Sequence, residues 1–218
     1  KGNFSLQNLL LWAEQFPFYS FLNSNKEKQQ FSDEYGKYEL LLAVGNDTLK
    51  FNTVFSDIEK ELNKNNNWLF GYFGYDLKNQ LEKLSSENKD TQKADEAFFF
   101  HPEYVIEKIE SCFYITGCKD EKEAEALCAK ILSAENTKTQ QQDPVEIQHA
   151  VTRDEYISNV RSIQERIVRG DIYEMNYCIE FFSENCSIDP VTTYLNLNTL
   201  SPMPFSAVVK NKQHYTLC

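Results

Sequence analysis

The chain has 218 residues, of which 41% are hydrophobic and 14% aromatic, so it can bury a substantial core as one large domain or two small ones. Its formal net charge of −11 disfavours binding to nucleic acid or to anionic membrane surfaces, because like charges repel. No apolar run approaches the roughly 20 residues that a membrane helix needs. The expected location is the cytoplasm.

The first part of the sequence alternates helix and strand patterns. Ser5 is a suitable cap for an amphipathic helix that Pro17 ends. The segment "FPFYSFLNSN" predicts a strand, and "YELLLAVGNDTLKF" predicts two short strands joined at a turn. Ser56 predicts the cap of a second helix.

An aromatic strand follows and leads to a predicted antiparallel pair. In "NWLFGYFGYDLKNQLEKL" the pattern predicts a strand and then a helix that starts near Asp76. Gly71 and Gly74 within that strand favour a bulge or a close backbone crossing over a phosphate cradle. The stretches "FFFHPEYVIEKI" and "SCFYITGC" predict paired strands, and "KDEKEAEALCAKILSA" predicts a solvated helix.

The last third begins after a polar linker, "ENTKTQQQDP". Thr152 forms a capping box with a glutamate three residues on, and Gly170 is a suitable C-cap for the helix between them. "GDIYEMNYCIEFF" then predicts a strand, Asp189 starts a short helix, and "FSAVVKNKQHYTLC" predicts a hairpin.

The common catalytic and metal-binding signatures do not occur in this sequence. Its six cysteines form no C-x-x-C pair and have no histidine at zinc-ligand spacing, which favours reduced cysteines that pack as small apolar residues. There is no G-x-S-x-G, H-E-x-x-H, Walker loop or G-x-G-x-x-G. These signatures therefore indicate no reaction class.

Four stretches, in this order along the chain, resemble chorismate-utilising enzymes. "FPFYSFLNS" is similar to the family's early "PF..LLxS", and "WLFGYFGYDL" to its "GYLGYDL". "RIVRGDIYEMNYCIEFF" resembles the helix end and strand around "GDIYQVNLSQRF", and "LNTLSPMPFSAVVK" resembles the "N-P-x-P-[FY]" turn and its strand. The resemblance implies an α+β fold of antiparallel sheets packed face to face with helices outside. It further implies that residues 1–143 are the amino-terminal region and residues 144–218 the start of the chorismate-binding region, with the family's chain continuing further.

Within the family, two features favour the aminodeoxychorismate synthase component I type. They are Asn176 and the "PFSA" at residues 204–207, where the anthranilate synthase type usually has Val and "SPYMFY". Glu174 and Cys178 depart from the commoner family residues. The resemblance implies amination of chorismate to 4-amino-4-deoxychorismate, with Mg²⁺ and with ammonia from a glutamine amidotransferase subunit. The alternatives are anthranilate synthase component I and a non-catalytic domain that binds tryptophan or docks the amidotransferase.

The resemblance also indicates where functional residues are expected. The family's acid/base lysine and magnesium-binding glutamates lie in a continuation past "YTLC", so no catalytic residue and no metal ligand is expected here, and this chain alone is expected to be inactive. The family's tryptophan pocket aligns with Asn23, Ser24, Ser201, Pro202, Met203, Pro204 and Phe205. Proline and aromatic rings suit an indole. The alternative is a turn that simply packs on a strand.

The strand in "GDIYEMNYCIEFF" leaves two interpretations open. Its alternation places Tyr173, Met175 and Tyr177 on one side and Glu174 and Asn176 on the other. In a two-sheet core the Asn176 side would turn towards an interior ligand region. On a one-sided antiparallel strand the same side would face water.

Overall fold

The computed structural model describes residues 4–28, 36–64, 67–85, 90–135 and 145–218. Contacts divide the chain into two compact units. The first consists of Lys1–Thr137 with Asp189–Cys218, and the second of Lys138–Ile188. The resemblance implies a different kind of division, between two regions of the family's sequence that meet at residues 143 and 144. That division stays a prediction.

The described residues form helices and strands in alternation. The α-helices are α1 (Leu6–Ala13), α2 (Val54–Lys64), α3 (Glu121–Leu132), α4 (Arg153–Arg169) and α5 (Pro190–Leu200), and 3₁₀ helices occupy Lys26–Lys28 and Tyr75–Gln80. The strands are β1 (Phe18–Asn23), β2 (Leu40–Gly45), β3 (Phe70–Phe73), β4 (Ala97–Phe100), β5 (Tyr104–Ile109), β6 (Cys112–Thr116), β7 (Gln148–His149), β8 (Phe181–Phe182), β9 (Ser206–Asn211) and β10 (His214–Leu217).

A six-stranded antiparallel sheet organises the first unit, with the order β10-β9-β1-β2-β5-β6. Strand β1 lies between β2 and β9, so the hairpin at the end of the chain is hydrogen-bonded to the first strand. Residues distant in sequence therefore meet at the centre of the sheet.

One face of the sheet carries the main core of this unit. Tyr19, Phe21, Leu42 and Ile106 are fully buried there with residues of α1, α3 and α5. Alternate residues of a strand share a face, which explains why odd positions of β1 and even positions of β2 meet in this core. Burial of these side chains, at about 1.5–3 kcal/mol each, is the main stabilisation of the unit.

The opposite face of the sheet packs against the β3–β4 hairpin. Phe18 contacts Phe98 and Phe100, with ring centroids 5.6 and 6.3 Å apart. Gly71 allows the hairpin to close, since a Cβ there would lie 1.8 Å from the carbonyl oxygen of Phe98. The predicted close crossing at Gly71 is confirmed, as is the fold class of antiparallel sheets packed face to face with helices outside.

A polar cluster ties the carboxyl end of α1 to the sheet. The Glu14 carboxylate accepts hydrogen bonds from the hydroxyls of Tyr19 and Tyr215 at 2.7 Å each, and from Lys210 Nζ at 3.2 Å. Lys210 also donates to the Glu14 carbonyl oxygen at 2.7 Å. Burial raises the pKa of both tyrosines, and the neighbouring Glu14 carboxylate raises them further. The cluster gives the buried Lys210 ammonium two hydrogen bonds to Glu14.

The second unit contains α4 and one short strand pair. Thr152 and Glu155 form the predicted capping box, and Gly170 takes the left-handed C-cap conformation with φ of +83°. Strands β7 and β8 pair over two residues each. None of the described residues 145–188 is buried.

The strand predicted over residues 170–182 is largely wrong. Only Phe181 and Phe182 form a strand, while Tyr173 and Met175 are exposed without ladder partners among the described residues. A strand depends on hydrogen bonds to a neighbouring strand, which its own alternation cannot supply.

Three predicted element boundaries also need correction. Helix α2 begins at Val54, because the Asp57 carboxylate accepts from the backbone N–H groups of Asn52 and Thr53, and Ser56 is not its cap. The helix expected near Asp76 is the 3₁₀ helix Tyr75–Gln80. The second strand predicted after Gly45 is reduced to one bridge between Thr48 and Phe100.

The predicted linker at 135–144 lies outside the described residues except for Glu135. Among the helices that the structure describes, none combines the length and apolar character that a membrane crossing requires.

Candidate functional site

The two segments expected to form a ligand pocket meet at one end of the main sheet. In the antiparallel register of β1 and β9, Asn23 pairs with Ser206. One residue further along each segment come Ser24 and Phe205. The fold therefore brings the early segment and the turn at residues 201–205 together, although they are about 180 residues apart in the sequence.

A buried network of amides and hydroxyls lies at this junction. Asn25 Nδ2 donates to Asn198 Oδ1 at 2.7 Å, and Asn198 Nδ2 donates back to Asn25 Oδ1 at 3.1 Å. Asn23 Nδ2 donates to the same Asn25 oxygen at 3.2 Å, and Ser206 Oγ donates to Asn198 Oδ1 at 3.0 Å. The hydroxyl of Tyr194 lies 2.8 Å from Ser206 Oγ.

The network holds the turn by its backbone. Asn25 Nδ2 donates a second hydrogen bond, 2.9 Å long, to the carbonyl oxygen of Met203. Asn25 adopts a left-handed conformation with φ of 49°, which asparagine tolerates better than most residues. Asn25 Oδ1 and Asn198 Oδ1 each accept two hydrogen bonds, which fixes the orientation of both side chains. Asn25 therefore holds the Met203 carbonyl oxygen, and with it the turn, in one position.

Tyr194 is fully buried at the base of the network. Burial raises the pKa of its hydroxyl, while hydrogen bonds with Ser206 and Asn23 act in the opposite direction. A neutral phenol at this position gives the network one more donor without introducing a charge into the core.

The pocket residues predicted from the sequence lie in different environments. Asn23 is buried in the network, and Ser24 Oγ donates to the carbonyl oxygen of Glu39 at 3.0 Å. In the turn, Met203 contributes its carbonyl oxygen, and the Phe205 side chain is 89% exposed. Ser201 and Pro204 are exposed, and Pro202 is partly buried.

Sequence reasoning missed Asn25, Tyr194 and Asn198. Two of them could have been found, because the predicted helix that starts at Asp189 places Tyr194 and Asn198 on one face, four residues apart. The contribution of Asn25 depends on contacts more than 170 residues away and has no local sequence signature.

No described group of three or more His, Cys, Asp or Glu side chains is arranged to hold a metal ion. The six cysteines are all free thiols. The buried network at the junction consists of neutral amides, hydroxyls and backbone carbonyls, and Lys28 Nζ donates to the Asn198 carbonyl oxygen at 3.5 Å. Amides and hydroxyls of this kind suit hydrogen bonding better than proton transfer or metal binding.

A comparison with models of protein families identifies relatives of this chain. The model of the chorismate binding enzymes matches residues 11–218. The chain belongs to the chorismate binding enzyme family. The match covers the second unit and all of the first unit from residue 11 onwards, and it includes the junction between β1 and the turn at residues 201–205.

One relative of this chain is a longer protein. An anthranilate synthase component I-like protein from Synechocystis sp. is 25% identical over 157 residues, which cover 69% of this chain and 32% of that protein. This chain therefore matches about a third of the length of that relative.

Proposed function

We propose that this chain is the amino-terminal part of an aminodeoxychorismate synthase component I. The observation that supports it most is the family match over residues 11–218, within which Asn176 and the "PFSA" at residues 204–207 resemble this type. The proposed reaction joins ammonia to chorismate and gives 4-amino-4-deoxychorismate. A cytoplasmic glutamine amidotransferase subunit is the proposed source of the ammonia.

The proposed reaction would use Mg²⁺, which suits an oxygen-rich ligand set. The described side chains of this chain do not form such a set. We therefore expect the Mg²⁺ ligands in another part of the enzyme.

A second candidate is the anthranilate synthase type, which the name of the Synechocystis relative favours. Both types start from chorismate and ammonia, so only the product separates them. Anthranilate is an aromatic ring that has lost the pyruvyl group, whereas 4-amino-4-deoxychorismate retains it.

The test combines this chain with a carboxy-terminal segment of a family enzyme, expressed as a separate chain. Chorismate, ammonium and Mg²⁺ are added, and the products are separated by liquid chromatography with mass detection. The proposal expects 4-amino-4-deoxychorismate from the mixture and no product from the 218-residue chain alone. Anthranilate as the product would replace the proposal with the second candidate, and turnover by the chain alone would contradict the expected division of residues.

We also propose that tryptophan binds at the junction of β1 and the turn at residues 201–205. The exposed Phe205 ring supplies a flat apolar surface, and the turn is fixed through Met203. The backbone groups of the turn, together with Ser24, are the proposed partners of the ligand's charged groups.

Titration calorimetry with L-tryptophan tests this pocket. The Phe205→Ala variant is expected to bind at least fivefold more weakly, since a stacked aromatic contact contributes about 1 kcal/mol. Phe55→Ala, at another exposed aromatic side chain, is the matched control. Absence of binding heat for the unaltered chain would reject the pocket.

A further inference from the structure

A cavity of about 340 Å³ lies in the first unit beside the start of α1 and the 3₁₀ helix Lys26–Lys28. Part of its wall is apolar and is formed by Phe4, Leu40 and Phe113. The rings of Phe4 and Phe113 meet edge to face with centroids 5.0 Å apart. This wall suits the ring or chain of a small molecule.

Charged side chains complete the lining. Three lysines and two glutamates contribute to it, which leaves one surplus positive charge: Lys26, Lys28, Lys108, Glu27 and Glu39. A ligand with one negative charge would therefore match the cavity electrostatically.

Lys108 forms ion pairs with two carboxylates of unequal exposure. Its Nζ lies 2.9 Å from Glu39 Oε2 and 2.9 Å from Glu27 Oε1. Glu39 is fixed, because its side chain is 14% exposed and its other oxygen accepts from the backbone N–H of Ser111 at 3.0 Å. Glu27 reaches Lys108 from the 3₁₀ helix with a side chain that is 77% exposed.

The charge on Lys108 is secured by its neighbours. Burial alone lowers the pKa of the Lys108 ammonium, but the hydrogen bond to Glu27 and the ion pair with Glu39 outweigh it and raise the pKa. Burial likewise acts to raise the pKa of Glu39, and the nearby Lys108 ammonium and the Ser111 hydrogen bond outweigh it and lower the pKa. The Lys108–Glu39 pair is thus a fixed feature, whereas an exposed ion pair such as Lys108–Glu27 contributes little stability.

We propose that this cavity binds a small carboxylate with an apolar ring or chain, and that Glu27 occupies the position of the ligand's carboxylate when the ligand is absent. The bound carboxylate accepts a hydrogen bond from Lys108 Nζ, and the apolar body lies against Phe4 and Phe113. Displacing Glu27 exchanges one exposed carboxylate for another, so burial of the apolar body drives binding.

The cavity shares Asn23 with the proposed tryptophan pocket, but Lys108 and the phenylalanine wall are outside the residues that the family resemblance indicates. Binding of a carboxylate here does not depend on the amination reaction, and its test contains no chorismate. Failure of one proposal therefore leaves the other intact.

The experiment is calorimetric titration of the full 218-residue chain with 3-phenylpropionate. Two matched probes accompany it: 2-phenylethylamine, which has a similar apolar body and the opposite charge, and propionate, which has the carboxylate without the ring. We expect 3-phenylpropionate to bind at least tenfold more tightly than either. Equal binding of 2-phenylethylamine, or no binding of 3-phenylpropionate, would overturn the proposal.

Variants of the two charged residues sharpen the test. Lys108→Met is expected to weaken binding tenfold or more, and Glu27→Gln to tighten it by about threefold because the competing carboxylate is removed. Lys60→Met, which removes an exposed charge on α2, is the control and should leave the affinity unchanged. Unchanged binding in Lys108→Met, or weaker binding in Glu27→Gln, contradicts the proposed exchange.

Two further variants establish that the probe binds in this cavity of the folded chain. Lys108→Met leaves Glu39 unpaired, so Lys108→Arg, which keeps the charge, tests whether a loss of binding reflects unfolding. Lys108→Arg should retain binding within about threefold. Phe205→Ala should not change the affinity for 3-phenylpropionate, and a loss in that variant would place the probe at the turn and overturn the assignment.

Discussion

The first unit surrounds its six-stranded sheet with buried side chains, whereas the second unit buries none of its described residues. The contrast is clearest between their helices. Helix α1 has eight residues, four of them buried, while α4 has 17 residues and a complete capping box but no buried residue. An isolated helix shorter than about 12–15 residues is marginal in water. The first unit therefore depends on tertiary packing, and α4 depends on its length and its caps.

Truncation of one apolar side chain in each unit should show this contrast most strongly. Leu42→Ala is expected to lower the free energy of unfolding by about 2–5 kcal/mol, because Leu42 is fully buried in the sheet core. Ile163→Ala in α4, at a partly buried position, should cost less than about 1 kcal/mol. Urea unfolding followed by fluorescence and by circular dichroism measures both. Leu42→Met, which conserves volume, is the control, and equal losses in the two units would refute the contrast.

The elements that could be predicted from sequence are those whose determinants are local. The capping box of α4, the glycine at its end and the hairpin at residues 206–217 each depend on a few neighbouring residues, and all three are confirmed. The segment at residues 170–182 has an equally clear alternation, yet only two of its residues pair. Strand pairing depends on a distant segment, so the alternation alone could not decide it.

The N-cap residues of α4 and α1 provide a second test of the contrast between the two units. Thr152→Ala is expected to destabilise α4 by about 0.5–2 kcal/mol, because the side-chain acceptor for the Glu155 N–H is lost. Ser5→Ala removes the matching cap of α1, whose Oγ accepts from the Asn8 N–H at 3.0 Å. We expect amide exchange to accelerate throughout α4 in the first variant, but only in the first turn of α1 in the second. Thr152→Ser should behave as the unaltered chain, and exchange confined to the first turn of α4 would contradict the dependence on caps.

The candidate site shows the same limit of sequence reasoning. Asn23 and the turn at residues 201–205 could be predicted to come together, because a family resemblance related both segments to one pocket, and the β1–β9 register pairs them. The pairing of Asn25 with Asn198 could not be predicted, since the two residues are 173 positions apart in the sequence, although the helix pattern places Asn198 on one face with Tyr194. A polar residue at a strand or helix end is usually solvated, and only the tertiary structure shows that these two are buried.

The third prediction uses pH to probe a contact within the first unit. The hydroxyl of Tyr104 donates to Glu123 on α3 at 3.0 Å, and this hydrogen bond, together with burial, raises the pKa of Tyr104 to about 12. In the unfolded chain a tyrosine has a pKa of about 10. The unfolded state therefore loses this proton first, and the stabilisation is complete below about pH 10 and is lost as the pH rises through about 12.

Tyr104→Phe is consequently expected to cost about 1 kcal/mol at pH 8, the contribution of one hydrogen bond. The difference in the free energy of unfolding between Tyr104→Phe and the unaltered chain should become smaller above pH 10. Urea unfolding at four values between pH 8 and about pH 12 measures it. Tyr173→Phe, at a side chain that is 93% exposed in the second unit, is the control and should show no difference at any pH. If the loss of stability in Tyr104→Phe does not change with pH, the hydrogen bond to Glu123 is not its cause.

The smallest expected effect is that of Ser20→Ala, which changes one of two buried serines of the first unit. Ser20 lies in β1 between Ala43 and Val209, and its Oγ has no hydrogen-bond partner among the described residues. Ser206 is equally buried, but its Oγ bonds to Asn198 and Tyr194. An unpaired buried hydroxyl opposes folding, so Ser20→Ala should leave the stability unchanged or raise it by up to about 1 kcal/mol. Ser206→Ala should instead lower it by about 1–3 kcal/mol, because two polar partners lose a hydrogen bond in the core. Thermal and urea unfolding of the two variants compare them directly, and a loss in Ser20→Ala as large as that in Ser206→Ala would show that Ser20 has a partner in solution.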